Sequence, residues 1–143
     1  MARGRPITEH IAYLLAQANR QIHQQLDEKF RDEGVPVEQW RILKLLVEKN
    51  GRSMGGLTEA ALLNHPTLTK MIDRMVSDAL VYRVQDPKDR RKVLMFVSDR
   101  GNALSRRLNS LAVSQEEHIV ESYGDKSTNE LKRLLESLIG TAN

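Results

Sequence analysis

Residues 64–76 of this chain read Asn-His-Pro-Thr-Leu-Thr-Lys-Met-Ile-Asp-Arg-Met-Val, and residues 86–101 read Asp-Pro-Lys-Asp-Arg-Arg-Lys-Val-Leu-Met-Phe-Val-Ser-Asp-Arg-Gly. In the first segment apolar residues recur every three or four positions, which predicts an amphipathic helix with a polar, partly basic outer face. Around the Asp-Pro-Lys-Asp turn, β-branched and apolar runs at 80–85 and 93–98 predict a two-stranded hairpin with a basic tip. A helix that fits a major groove, followed by a basic hairpin, predicts a DNA-binding unit.

A shorter helix is predicted directly before this unit, around residues 57–63, with Ser53 as its N-cap. Asn64 caps the helix that follows, and Pro66 is tolerated in its first turn because no N–H partner is missing there. Two helices joined by a tight polar turn, the second presenting hydroxyls and cations outward, form a helix-turn-helix pattern.

Apolar stripes on both sides of this unit predict a helical frame. A stripe from Ile7 to Phe30 predicts one long helix that ends before Gly34 and Pro36, and a second helix is predicted at 37–49. At about 24 residues the first helix exceeds the usual three to four turns, so part of its stripe is expected to pack on a second subunit. The residues expected at that dimer interface are Ile7, Ile11, Ile119, Leu131, Leu134, Leu135 and Leu138.

Two further helices are predicted after the hairpin. Ser98 is expected to cap the first of them, and Gly124 to end it. Ser127, followed three residues later by Glu130, matches a capping box that opens the last helix. That helix is expected to bury its apolar residues at 131–139.

The composition limits the class of protein. The 143 residues suffice for one domain, 1–143, but not for two. No apolar run approaches the roughly 18–20 residues that cross a bilayer, and a cytoplasmic location is expected. The absence of cysteine excludes disulfides, thiolate metal sites and thiol-based sensing. Of the net charge of +3, residues 37–100 carry +4 (12 Lys+Arg, 8 Asp+Glu) and the remainder −1, which agrees with nucleic-acid binding.

Two other classes of protein fit parts of the sequence. A small acyl-CoA or nucleotide-binding enzyme would need a phosphate-cradling loop or an acid–base constellation, and Gly55-Gly56 is too short for such a loop. The four histidines show no metal-ligand spacing and no His-Glu-x-x-His motif. A dimeric interaction module without DNA binding would not need the basic hairpin. The sequence therefore predicts no catalysis, no cofactor and no metal, and it favours DNA binding.

Residues 37–101 resemble the MarR family of winged-helix transcription regulators. Leu57-Thr58-Glu59 and residues 67–75 resemble the family's helix-turn-helix, residues 80–83 its first wing strand, and residues 86–91 with 97–101 its wing and wing exit. The Asp-Pro-x-Asp-Arg-Arg tip, placed directly after the recognition helix, is the specific part of this match. Two positions depart from the family. Ala79 stands where glycine is usual, so the turn there can differ, and Ser98 replaces threonine harmlessly because both residues cap helices.

The resemblance implies a mainly α fold with a small β-wing. A winged helix-turn-helix lobe at 37–100 would be held by long dimerisation helices at 6–33 and 101–141. It also implies an obligate homodimer on double-stranded DNA with a pseudo-palindromic operator, and a pocket for a small aromatic or lipophilic acid between frame and lobe. The predicted function is therefore a dimeric transcription regulator, a repressor, that such an effector releases from its operator.

The expected DNA contacts divide between helix and hairpin. Hydroxyls and cations on the helix suit phosphates and base edges, and Asn64 and His65 would lie near phosphate at its N-terminus. Arg90 resembles the wing-tip arginine that the family inserts into a minor groove, while Asp89 and Arg91 are expected to brace the hairpin through an ion pair. The full set of expected DNA-binding residues is Asn64, His65, Pro66, Thr67, Thr69, Lys70, Arg74, Lys88, Asp89, Arg90, Arg91 and Lys92.

A carboxylate effector needs Arg or His beside apolar walls, and the residues expected to provide them are His10, Tyr13, Trp40, Arg41 and Met75. At the N-terminus, Arg3-Gly4-Arg5-Pro6 matches the core of an AT-hook, whose arginines lie in a minor groove. Four residues recur by chance, so a disordered terminus without DNA contact is favoured over an AT-hook.

Overall fold

The computed structural model describes residues 4–141, and most of them are helical. Within that range the main elements are α1 (Ile11–Phe30), α2 (Val37–Glu48), β1 (Arg52–Ser53), α3 (Met54–Ala61), α4 (His65–Ser77), β2 (Val81–Gln85), β3 (Val93–Val97) and α5 (Asp99–Thr141). This order confirms the predicted mainly α fold with a small β-wing. Arg3, the first residue of the AT-hook match, lies outside the described residues.

The three strands form one antiparallel sheet in the order β1-β3-β2. β2 and β3 pair along their whole length, and the rings of Tyr82 and Phe96 stack across the pair with centroids 5.7 Å apart. β1 pairs with β3 over two residues only, a length too short to show the alternation from which strands are predicted. Asn50, two residues before β1, accepts a hydrogen bond from the Val97 N–H at 2.9 Å and ties the end of α2 to β3.

The first helix begins later than its apolar stripe. Ile7–Glu9 form a 3₁₀ turn, and His10 has extended backbone angles (φ −77°, ψ 136°), so α1 begins at Ile11. The predicted continuous helix from Ile7 is therefore wrong by about one turn. Periodicity did not reveal the break, because a 3₁₀ turn also brings residues i and i+3 together. At the other end Gly34 adopts φ 68°, a left-handed conformation, and separates α1 from α2 as predicted.

The C-terminal helical region bends at Gly124. Its angles, φ 82° and ψ 162°, are not helical and separate a helix before it from one after it, as the sequence predicts. The predicted capping box does not form. Helical structure continues directly after the bend, the Thr128 hydroxyl donates to the Gly124 carbonyl, and the Glu130 carboxylate accepts from Arg133. The hydrogen bond from Arg133 also lowers the pKa of Glu130 below its ordinary value.

The apolar core lies among α2, α3, α4, the sheet and the first half of α5, and the end of α1 reaches into it. Fully burying a large apolar side chain contributes roughly 1.5–3 kcal/mol, so this cluster accounts for much of the fold's stability. Its fully buried members include Phe30, Ile42, Leu43, Leu46, Leu57, Leu68, Ile72, Met75, Met95 and Leu108.

The carbonyl group of Leu80 joins the end of α4 to the start of α5. The Ser98 N–H donates to it at 3.0 Å, and the Ser98 hydroxyl lies 3.0 Å from it and 2.6 Å from the Ala79 carbonyl oxygen. The Ser98 hydroxyl oxygen also accepts from the Gly101 N–H at 3.0 Å, so the predicted cap of α5 is confirmed. A Cβ atom at residue 101 would lie 2.1 Å from the Leu80 oxygen, and only glycine fits there.

The turn after α4 has the geometry of a glycine turn although it contains alanine. Ala79 adopts φ 61°, and the N–H groups of Ala79 and Leu80 donate to the carbonyls of Val76 at 3.0 Å and Met75 at 2.9 Å. These two bonds form a Schellman motif, whose left-handed position usually holds glycine. The substitution of alanine therefore does not change the turn. It adds a steric cost of about 1 kcal/mol or slightly more.

Apolar side chains remain exposed at the start of α1 and beyond Gly124. Ile11 is 69% exposed and Leu134 is 52% exposed, so the last helix does not bury its stripe within one chain. Within residues 4–141, no helix combines the length and the apolar character that a membrane crossing requires.

We expect Ala79→Gly to stabilise the protein by about 0.5–1 kcal/mol, because relief of the Cβ clash exceeds the entropy that glycine adds to the unfolded chain. Urea denaturation at one fixed protein concentration measures the change. Ala60→Gly, at a helical position of α3, is the matched control and is expected to destabilise by about 1 kcal/mol. Equal destabilisation by the two substitutions would contradict the strain assigned to Ala79.

Candidate DNA-binding surface

The N-terminal turn of α4 is fixed by its cap. The Asn64 side-chain oxygen accepts from the Thr67 N–H at 2.8 Å, as predicted, and Pro66 occupies the first turn. Asn64, His65 and Pro66 are exposed. The backbone N–H groups and the dipole at such a helix end attract anions, so this turn is suited to a DNA phosphate.

The outward face of α4 carries two cations and a threonine. Lys70 and Arg74 are exposed, and neither has an acidic partner within 4.0 Å among the described residues. The Thr69 hydroxyl donates to the His65 carbonyl at 2.9 Å, so its oxygen remains available as an acceptor. The opposite face of α4 is fully buried in the core, which fixes the rotation of the helix and keeps this face outward.

An ion pair joins α4 to the wing. The Asp73 carboxylate, on the exposed side of α4, accepts from the guanidinium of Arg83 on β2. Both side chains are substantially exposed, so solvent screening leaves the pair little weight in folding stability. Its effect is on position, because it holds the wing strand against the recognition helix. Sequence reasoning did not single this pair out, although opposite charges on a predicted helix and on the strand after it were the available signal.

Asp89 shapes the tip of the wing. Its Oδ1 accepts from the backbone N–H of Arg91 at 3.1 Å and lies 3.3 Å from the Arg91 Nε, which confirms the expected ion pair. The Asp86 Oδ1 likewise accepts a hydrogen bond from the backbone N–H of Lys88 at 2.9 Å. The tip therefore has a defined backbone, held by its own acidic side chains.

Arg90 projects from this tip. The Gln85 amide donates to the Arg90 carbonyl at 2.8 Å, while the Arg90 side chain is exposed and takes part in no ion pair among residues 4–141. Lys88 and Lys92, on either side of it, are exposed as well. A fixed backbone with one unpaired arginine at its tip suits insertion into a narrow groove, and the flanking lysines suit phosphate contacts.

Three residues expected in an effector pocket already have partners within the chain. The Trp40 indole N–H donates to the side-chain oxygen of Asn109 at 2.7 Å, and the Arg41 guanidinium donates to the Ala61 carbonyl at 2.9 Å. Met75 is fully buried in the core. These side chains therefore help to hold α2, α3, α4 and α5 together.

A cavity of about 920 Å³ lies between α1 and α5, on both sides of the bend at Gly124. Its walls are mostly apolar, and two of the residues expected at a dimer interface, Ile119 and Leu131, line it. None of the five residues expected in an effector pocket lines it. The two of these that lie near the start of α1, His10 and Tyr13, are exposed.

Most residues expected at a dimer interface are exposed in the single chain. Only Ile119 and Leu135 are half-buried. Clusters of exposed apolar side chains are typical of interaction sites. The exposed members of the set are Ile7, Ile11, Leu131, Leu134 and Leu138.

The fold and the exposed basic surface define a winged helix-turn-helix DNA-binding protein. The chain matches the MarR family over residues 35–93, from the residues before α2 to the start of β3. It is 29% identical to the homoprotocatechuate degradative operon repressor of Escherichia coli over 106 residues, 74% of this chain and 72% of that repressor. The chain therefore resembles the MarR family of transcription regulators, and the match covers the helix-turn-helix and the first strand of the wing.

Solved structures share the fold along nearly the whole chain. The transcriptional repressor CouR, bound to a 23-mer DNA duplex, superimposes with a TM-score of 0.86 at 22% identity, covering 93% of this chain and 94% of that one. NadR in complex with 4-hydroxyphenylacetate superimposes with a TM-score of 0.80 at 25% identity, covering 94% and 95%. The likeness extends beyond residues 35–93, so α1 and α5 belong to the shared fold.

The two substitutions Asp89→Asn and Asp89→Ala remove the same charge from the wing tip, but only asparagine keeps an acceptor for the Arg91 N–H. We expect Asp89→Asn to bind an A·T-rich duplex about fivefold more tightly than Asp89→Ala, because one hydrogen bond of about 1 kcal/mol preserves the turn that presents Arg90. Fluorescence anisotropy at one salt concentration measures the difference. Equal affinities would show that this turn does not position Arg90.

Proposed function

We propose that the chain forms a homodimer that binds a pseudo-palindromic DNA operator as a repressor and is released from it by a small aromatic or lipophilic acid. One observation carries the proposal. The outward face of α4 and the tip of the wing present Lys70, Arg74 and Arg90 without ionic partners in the described chain, and the Asp73–Arg83 pair holds helix and wing together. The proposed location is the cytoplasm, where the DNA target is reached.

In this proposal each protomer consists of a DNA-binding lobe at residues 37–100 and of frame segments at 6–33 and 101–141. The dimer would place its two α4 helices about one DNA turn apart, roughly 34–36 Å, in successive major grooves. Lys70 and Arg74 would pair with guanine edges or phosphates, and Arg90 would enter the adjacent minor groove. The other proposed contacts are Asn64, His65, Pro66, Thr67, Thr69, Lys88, Asp89, Arg91 and Lys92.

The exposed apolar residues of the frame support the homodimer. Burial of apolar surface contributes about 25 cal/mol per Å², and an isolated chain leaves the apolar side chains at the start of α1 and after Gly124 in water. A second copy presents the same surface, as a two-fold interface requires. We therefore assign the seven residues predicted for the interface to this contact. Two of them, Ile119 and Leu135, are already half-buried in the single chain.

The proposed effector is a small aromatic or lipophilic acid, the class to which the 4-hydroxyphenylacetate bound by NadR belongs. The proposed pocket consists of His10, Tyr13, Trp40, Arg41 and Met75. A ligand there would compete with the Asn109 and Ala61 contacts of Trp40 and Arg41, which gives it a way to change how α2 packs on α3 and α5. It releases DNA only if its affinity for the released arrangement exceeds its affinity for the bound one.

The proposal predicts that selection from random duplex DNA enriches an inverted repeat. Wild-type affinity for that repeat should fall steeply with salt, because phosphate contacts release counterions. Arg90→Ala should weaken binding by about 1–3 kcal/mol and lose preference at the A·T-rich positions that flank the major-groove contacts. Electrophoretic mobility shifts over a salt series measure both effects.

Arg20→Ala, on the exposed surface of α1 away from the wing, is the matched control for loss of one positive charge. It should leave the affinity close to wild type. If no sequence is enriched and Arg90→Ala behaves like Arg20→Ala, the chain is an interaction module and not an operator-binding protein. Addition of 4-hydroxyphenylacetate to the wild-type complex then tests whether an acid of this class releases the DNA.

A further inference from the structure

His23 bridges α1 to α2 through both of its ring nitrogens. Nδ1 lies 3.1 Å from the Asp27 carboxylate one turn along α1, and Nε2 lies 2.5 Å from the carboxylate of Glu38 in the first turn of α2. The other oxygen of Asp27 accepts from the Val37 N–H at 3.1 Å, so Asp27 is itself fixed to the start of α2. The bridge thus lies where the frame helix meets the DNA-binding lobe.

The chemistry of imidazole decides the protonation state that fits this geometry. A neutral ring has one N–H and one lone pair, so it can donate to only one of two carboxylates and must turn its lone pair toward the other. The imidazolium ion has two N–H groups and donates to both. Only a protonated ring can therefore donate to Asp27 and Glu38 at the same time.

Among residues 4–141, two carboxylates are the charged partners of the ring. Asp27 faces it from its own helix, and Glu38 faces it from α2. On α5, which also packs against α1, the uncharged Gln115 amide donates to the carbonyl of Ile22, the residue before His23, at 3.2 Å. Loss of one proton from the ring would leave one of these two carboxylates facing a lone pair.

The His23 bridge spans the short connection between α1 and α2. A 3₁₀ turn (Arg31–Glu33) and the left-handed Gly34 connect the two helices, and Glu33 pairs with Arg107 of α5 at 2.6 Å. The His23 bridge adds a direct link between the two helices. Loss of the bridge would leave the lobe greater freedom relative to the frame.

We propose that His23 is a positioning residue for operator binding: as an imidazolium it fastens the lobe to the frame and makes operator affinity depend on pH. The inference rests on the proposed function. A lobe that is held in a fixed orientation on the frame loses less conformational freedom on binding DNA, so the bridged state has the higher affinity. As pH rises, the ring loses its proton, one carboxylate faces a lone pair, and operator affinity falls.

The test compares operator affinity at about pH 6 and about pH 8, across the titration range of histidine, in the full-length protein with the selected repeat. Wild type should lose at least about fivefold in affinity over this interval, the lower end of the usual coupling between sites. His23→Gln should bind weakly at both pH values. His65→Gln removes the histidine nearest the proposed DNA contacts and should leave most of the wild-type pH dependence intact.

Glu38→Gln distinguishes the proposal from a merely structural role of His23. A neutral ring can donate Nδ1–H to Asp27 and accept at Nε2 from the glutamine amide, so the bridge persists at high pH. This variant should therefore bind tightly at both pH values. Glu48→Gln, on the same helix and exposed, is its control for loss of charge and should keep the wild-type profile. A wild-type profile in His23→Gln or in Glu38→Gln would overturn the proposal.

The protonation state of the His23 ring can be measured without DNA. Nitrogen-15 NMR of histidine-labelled protein should show both His23 ring nitrogens protonated at about pH 6. A neutral His23 ring at that pH would overturn the proposal whatever the DNA result. If no operator is found at any pH while the ring is doubly protonated and bridged, the failure belongs to the proposed function and not to the bridge.

Discussion

The hydrogen bonds and the close backbone contact at the Leu80 carbonyl are the constraint on which the rest of the structure depends. The recognition helix has just ended at this carbonyl, and the wing returns to it through Ser98. Gly101, in the first turn of α5, packs against it. A side chain at residue 101 would collide with the carbonyl oxygen, so α5 reaches this distance only because Gly101 has no Cβ. The joint therefore sets the direction of the frame helix relative to α4 and the wing.

The exposed cations of α4 and the wing are held in a defined arrangement by the contacts at the Leu80 carbonyl and by those around it. The core fixes the rotation of α4, the Schellman turn at Ala79 fixes where the wing strand leaves it, and the Asp73–Arg83 pair holds that strand beside the helix. The acidic side chains of the wing tip then fix the backbone that carries Arg90. Few of these contacts contribute much stability, since most are exposed. They restrict the conformations of the DNA-binding surface, which reduces the conformational entropy lost on binding a rigid duplex.

The sequence predicted the elements whose signals are local. The caps at Ser53, Asn64 and Ser98 are confirmed, because each depends on one side chain and one backbone N–H within three residues. The capping box at Ser127 failed because helical structure resumes directly after Gly124, so Ser127 does not stand at the start of a helix. Ala79 shows the opposite case, in which a residue of low left-handed preference is forced into that conformation by the bonds around it.

Features that depend on distant parts of the chain were beyond sequence reasoning. The need for Gly101 arises from a carbonyl 21 positions earlier, and the two-residue strand β1 exists only because β3 pairs with it. The His23 bridge combines residues of two helices that periodicity treats separately. The interface and pocket residues stay predictions, because one chain shows which apolar side chains are exposed but not what covers them.

The proposed dimer presents two recognition helices at the spacing of one DNA turn. The chain has no cysteine, so Ser77→Cys, at the exposed end of α4, accepts a single spin label without competing reactions. Double electron–electron resonance on the labelled protein with the selected operator should give one narrow distance between the two spin labels. That distance should be consistent with helix centres roughly 34–36 Å apart. Absence of dipolar coupling, or a distance that cannot place the two helices in successive major grooves, would contradict the account.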